Sequence, residues 1–110
     1  MEIRALALSN RPDSLRKAIW EDLRREKHSS LRLVKAKDFY RPNGWSKAVS
    51  IDNDGAVNFD WDGVGKILTI RAIAERGNKP DAIMGEFIGY LIAKFGNRIT
   101  TIVNAGKAGK

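Results

Sequence analysis

Between Arg32 and Lys47 lies the stretch whose side chains are best suited to chemistry. Five cations, Arg32, Lys35, Lys37, Arg41 and Lys47, are interleaved there with Phe39, Tyr40 and Trp45. Cations gain free energy by releasing the counterions condensed on a phosphate chain, and an aromatic face stacked on an unpaired base contributes about 1–3 kcal/mol. Arg41-Pro42-Asn43-Gly44 is turn chemistry, so Tyr40 and Trp45 are expected beside a loop tip where bases can reach them. A competing reading is that Phe39 or Trp45 closes the edge of the core while the lysines guard an edge strand against pairing.

A second cationic pattern is spread over the chain. Each of the four best strand segments carries or directly adjoins one arginine: Arg4, Arg32, Arg71 and Arg98. Strand alternation groups Arg4 with Leu6 and Leu8, Arg32 with Val34, Arg71 with Thr69 and Ile73, and Arg98 with Thr100 and Ile102. The alternate faces, such as Ile3/Ala5/Ala7, Leu68/Ile70/Ala72 and Ile99/Val103, are free of charge and suited to packing under helices. If helices cover those faces, four guanidiniums decorate the bare side of one sheet, an arrangement that suits a phosphate backbone. The opposing expectation is that isolated strand arginines simply extend their heads into water.

Two Asp-x-Asp-Gly groups supply the acidic counterpart: Asp52-Asn53-Asp54-Gly55 and Asp60-Trp61-Asp62-Gly63. On opposite arms of a hairpin, Asp52, Asp54, Asp60 and Asp62 are weak candidates to hold Mg²⁺, Mn²⁺ or Ca²⁺ and to activate water against a phosphodiester. Asp-Gly is also common tight-turn chemistry, which accounts for both groups without a metal. A calcium-loop pattern is not met, and Gly63-Val64-Gly65-Lys66 lacks the spacing of a phosphate-binding loop. With no cysteine and His28 as the single histidine, thiolate catalysis and multi-histidine metal cages within one chain are excluded. No cofactor is expected, and an enzyme is not favoured.

These residues must be positioned by a small scaffold. The chain has 110 residues, 43% hydrophobic and 30% charged, which suits one globular domain, expected over 1–103 with a flexible basic tail at 104–110. A net charge of +7 favours acidic partners. That charge is uneven: +6 over residues 1–47, −4 over 48–65 and +5 over 66–110. No apolar run is long enough to span a membrane, and the charged opening does not read as a secretory signal, so a cytoplasmic protein without membrane contact is expected.

Asn78-Lys79-Pro80-Asp81 predicts a helix start with Asn78 as cap, and Ile83, Met84, Phe87, Ile88, Leu91, Ile92 and Phe95 give the helical period. Gly96 is placed to end that helix in the left-handed conformation. So apolar a helix must be covered on more than one side. Its line of Gly85, Gly89 and Ala93 costs helix propensity and predicts close packing, either within the chain or against a second copy in a homodimer. Asn10-Arg11-Pro12-Asp13 repeats the start signal ahead of Leu15, Ile19, Trp20 and Leu23, at an offset of 68 residues. Strands are expected at Ile3–Leu8, Leu31–Ala36, Ile67–Ile73 and Ile99–Val103, with a hairpin from Lys47–Ile51 and Val57–Trp61 through Asp54-Gly55.

The resulting order is βαβ, a hairpin at about 46–62, and βαβ again. It predicts an α+β, ferredoxin-like α/β sandwich: an antiparallel sheet with two helices on one face. The function expected is a small non-enzymatic domain binding DNA or RNA. The alternative is a protein-interaction module that self-associates through the apolar helix or the hairpin edge, and a metal-dependent nuclease is weaker still.

Overall fold

The computed structural model describes residues 2–25, 30–34, 39–75 and 79–107. The elements in chain order are β1 (Glu2–Ser9), α1 (Leu15–Arg25), β2 (Leu31–Leu33), β3 (Ser46–Ser50), β4 (Gly55–Asp62), β5 (Ile67–Ala74), α2 (Pro80–Phe95) and β6 (Ile99–Lys107). All six strands join one antiparallel sheet in the order β2-β3-β4-β5-β1-β6, and both helices pack on one of its faces. The order departs from the four-stranded one expected, because the β3–β4 hairpin lies within the sheet between β2 and β5. No helix among the described residues is long and apolar enough to cross a membrane.

Alternation decides which side of each strand is buried. Ala5 and Ala7 on β1, Leu31 and Leu33 on β2, Val57 and Phe59 on β4, and Leu68, Ile70 and Ala72 on β5 all face the helices. Leu15, Ile19, Trp20 and Leu23 of α1 and Ile83, Met84, Phe87 and Leu91 of α2 complete the core. Phe59 stacks on Phe87 with ring centroids 5.3 Å apart, joining sheet to helix. Each fully buried side chain of this size stabilises the fold by roughly 1.5–3 kcal/mol. Small alanines on β1 beneath large helix side chains let the layers approach closely.

Both helix starts differ from expectation. The cap of α1 is Ser14, whose Oγ accepts the Lys17 N–H at 3.1 Å, rather than Asn10. α2 begins at Pro80 with Lys79 as cap and no side-chain capping bond, and Asn78 lies outside the described residues. The 68-residue offset therefore does not hold at the helix starts, since α1 begins three residues later than it requires. Gly96 is right-handed (φ −59°), and its N–H donates to the Ile92 carbonyl at 3.1 Å.

At the hairpin, Gly55 cannot be any other residue without movement, because an added Cβ would strike the Ile73 carbonyl oxygen and Ile83 Cδ1. The Glu86 carboxylate on α2 accepts the Ser50 hydroxyl at 2.7 Å and the Asn53 amide at 2.5 Å, which ties the turn to the helix. β6 runs to Lys107, with Ile3 opposite Lys107 and Arg4 opposite Gly106, beyond the point where a tail was expected.

Candidate nucleic-acid interface

The face of the sheet turned away from the helices carries a cationic row fixed by strand register. Lys47 on β3 is opposite Asn58 on β4, Asn58 is opposite Arg71 on β5, and Arg71 is opposite Arg4 on β1. Arg32 stands one row away at the β2 edge, opposite Val49, with its side chain exposed. Three of the four strand arginines thus share the uncovered face.

Two of them are already engaged. Glu2, at the start of β1, accepts from Arg71 Nη2 at 2.7 Å and Nε at 3.0 Å, and from Arg4 Nε at 2.9 Å. Those hydrogen bonds, Arg71 first, hold the Glu2 carboxyl down at about 2. Arg71 also lies over the Trp45 ring, 5.4 Å from its centroid, a cation–π contact that fixes the indole on the open face.

Trp45 links this row to a cleft of about 410 Å³ between α1 and the 39–47 segment. Arg16, Arg41 and Lys47 supply cations to it, and Trp20, Phe39 and Trp45 supply aromatic surface. Gly44 adopts φ 91°, a left-handed conformation that closes the turn ahead of Trp45. Arg16 is buried on α1; its Nη1 donates to Ser46 Oγ at 2.9 Å and its Nη2 to the Arg41 carbonyl at 2.6 Å. It therefore anchors both ends of the loop that walls the cleft.

The aromatics divide differently from expectation. Tyr40 is packed in place, edge-on to Trp20 at 5.4 Å and beneath the Arg16 guanidinium at 4.6 Å. Phe39 is 94% exposed and Trp45 46% exposed, so these two present free ring surface. Lys35 and Lys37 lie outside the described residues. Arg16 and Trp20 were not among the candidates read from sequence, although Arg16 falls on the apolar stripe of α1, one turn from Trp20.

Arg98 does not belong to this face. It is buried at the start of β6, donating through Nε to Ser9 Oγ at 3.0 Å and through Nη1 to Asp13 at 3.0 Å. Its Nη2 donates to the Asp13 and Arg11 carbonyls, and Trp61 lies 5.7 Å away. Burial pulls this guanidinium below its ordinary pKa, opposed by Asp13. Arg11, paired in bidentate fashion with Asp13, and Arg98 hold that carboxyl below its usual range.

The aspartates do not converge. Asp52 and Asp54 lie in the β3–β4 turn, whereas Asp60 and Asp62 lie toward the other end of the eight-residue strand β4. At about 3.3 Å per residue that strand separates the pairs far beyond the reach of a shared ion. Asp60 and Asp62 instead accept nearby backbone N–H groups, of Trp61 at 2.9 Å and Val64 at 3.1 Å. Among the described residues no group of three or more His, Cys, Asp or Glu side chains could hold a metal ion. Since Asp60 and Asp62 alternate with Asn58, the open face grades from cationic at Lys47, Arg71 and Arg4 to acidic near the β4–β5 turn.

On the far side of the molecule, Gly85, Gly89 and Ala93 of α2 are exposed, and an added Cβ at either glycine would meet nothing within 4 Å. Close packing among the described residues does not explain them. Compared with protein-family models, curated proteins and solved structures, the chain matches none.

Proposed function

We propose that this protein is a small non-enzymatic domain that binds DNA or RNA through the open face of its sheet and the adjoining aromatic cleft. The observation that carries this reading is the row Lys47–Asn58–Arg71–Arg4, whose register sets three cations from separate strands on the sheet face turned away from both described helices. Lys47, Arg71, Arg4 and Arg32 serve as phosphate contacts, with Arg41 and Trp45 at the cleft. Affinity for mixed-sequence oligonucleotides should fall linearly in log–log form with salt, as counterion release requires. Replacing Arg4 and Lys47 together by glutamine should lower the slope by about 2, near one per lost phosphate contact. Fluorescence anisotropy titrations between low and moderate salt measure this, and salt-independent binding or none would remove the reading. On the same footing, we read the sheet as a ferredoxin-like frame into which β3–β4 has been intercalated. Taking that pair out of the strand order leaves β2-β5-β1-β6, the neighbour relation of such a sandwich.

A second reading, self-association with another copy through α2, is favoured by one observation. Gly85 and Gly89 each cost about 0.8–1.0 kcal/mol against alanine in a helix, and among the described residues no atom lies close enough to their Cβ positions to offset it. Ile92 beside them is 57% exposed. In light scattering coupled to size exclusion, the wild type should then run as a dimer. Gly89→Leu, whose Cβ meets no described atom within 4 Å, should run as a monomer of equal or greater thermal stability. A monomeric wild type ends this reading.

A further inference from the structure

We infer that the cleft between α1 and the 39–47 segment is a pocket for one unpaired nucleotide, taking its base against the aromatic wall and its phosphate against Arg16, Arg41 and Lys47. This inference deepens the nucleic-acid reading and rests on it.

Arg16 carries the argument. Burying a guanidinium is costly unless its charge is matched, and buried arginines ordinarily meet a carboxylate. Arg16 is only 3% exposed, yet the partners it reaches are all neutral: the Ser46 hydroxyl, the Arg41 carbonyl and the face of the Tyr40 ring. Among the described residues no carboxylate lies within ion-pair distance of it. A second and a third cation, Arg41 and Lys47, line the same space without a carboxylate among the lining residues. Among the described residues, the cleft is thus a cationic recess with no carboxylate lining it.

Its remaining wall selects the kind of anion. Trp20, Phe39 and Trp45 present ring surface, and Phe39 is left almost wholly in water, a cost to a free molecule that a stacked planar ligand would relieve. A small inorganic anion would use the cations and leave the rings idle. A purely apolar ligand would leave the cations unmatched. An aromatic ring joined to a phosphate uses both, and about 410 Å³ lies in the range of small-ligand sites. Because Trp45 also contacts Arg71, a strand crossing the open face can deliver a base directly into the cleft. A base held in a duplex cannot enter without leaving its stack, so the pocket favours single strands.

The test uses the full chain, a labelled mixed-sequence single strand of about a dozen nucleotides, a blunt duplex of the same sequence, and free AMP and CMP as competitors. The wild type should bind the single strand at least tenfold more tightly than the duplex. Phe39→Ala, at a position too exposed to support folding, and Trp45→Ala should each weaken single-strand binding five- to tenfold and leave duplex binding within twofold. Arg4→Gln, on the sheet row, should weaken both ligands alike. Millimolar AMP or CMP displacing the single strand from the wild type but not from Trp45→Ala identifies the pocket with a free nucleotide. Absence of displacement with the single-strand preference intact confines it to a nucleotide within a chain. Equal binding of single strand and duplex, with both unmoved by Phe39→Ala and Trp45→Ala, overturns the pocket and leaves the sheet-face reading standing. Failure of every oligonucleotide to bind overturns both.

Discussion

Replacing Arg98 by leucine is expected to lower the unfolding free energy by about 3–4 kcal/mol, with no effect on oligonucleotide affinity of the folded protein. Arg98 holds the β1–α1 connection to the start of β6: its guanidinium reaches Ser9, Asp13 and the Arg11 carbonyl, while its own carbonyl accepts the Asn10 N–H at 2.9 Å. Hydrogen bonds to a charged group contribute about 1.5–3 kcal/mol, and each buried acceptor left unmatched adds roughly 1–3 kcal/mol. Solvent reaching the half-exposed Asp13 carboxylate keeps the total toward the lower end of that sum. Lysine restores the charge but not the planar fork, so Arg98→Lys should recover less than half of the loss. Urea unfolding of the three proteins decides the matter. A change below about 1 kcal/mol for leucine would show that the loop is held by other contacts.

Glu2→Gln should move stability and binding in opposite directions. Its carboxyl is held at about 2 against an ordinary 4.5 by Arg71 and Arg4. A depressed folded-state pKa stabilises above the unfolded value and loses that contribution as pH falls from about 4.5 through about 2. With the Arg4 side chain 46% and the Arg71 side chain 28% exposed, solvent screening reduces the gain to about 1–2 kcal/mol at neutral pH. The variant should therefore be less stable than wild type at pH 7, with the gap closing as pH falls from about 4.5 through about 2. At the same time Arg71, still seated on Trp45, and Arg4 lose an internal anion that competes with phosphate. Single-strand affinity at about 0.1 M salt should rise on the order of tenfold. Unchanged or weaker binding by Glu2→Gln would show that the two arginines are not part of the contact surface.

Legibility from sequence followed the regularity of each element. The apolar stripe of α1, the alternation of Val57 and Phe59, and the Asp54-Gly55 turn all obey a single local period, and each was placed within a few residues. Arg98 was misplaced because alternation presumes an unbroken ladder. Between Leu8 and Ser9 the β1–β6 register shifts, and Arg98 stands just before the strand, so its parity could not be carried back from Thr100. The same irregularity turns Ile102 inward opposite Ala7 and Val103 outward opposite Leu6, the reverse of the expected pairing of Ile99 with Val103 on the core side. Pro12-Asp13 resembled a helix start, but Asp13 is drawn off by Arg11 and Arg98, leaving Ser14 to cap α1. At the candidate site, Arg71 and Arg4 follow from strand alternation, and Lys47 from the cation-and-aromatic stretch that ends with it. Nothing local shows that Tyr40 would be sealed by Trp20 and Arg16 while Phe39 stays bare, since that choice is made by a helix twenty residues earlier in the chain.

The gradient of charge along β4 limits how much of a polyanion this surface can accept. Three strand spacings separate Lys47 from Arg4, about 14 Å, and only two residues past Asn58 the carboxylates of Asp60 and Asp62 begin to repel. On the nucleic-acid reading proposed above, a phosphate chain would have to cross the strands rather than follow them, and leave the surface after a short traverse. The footprint is then a few nucleotides, and copies loaded on a long strand would sit apart like beads, each recognising its own short stretch, instead of coating the strand continuously.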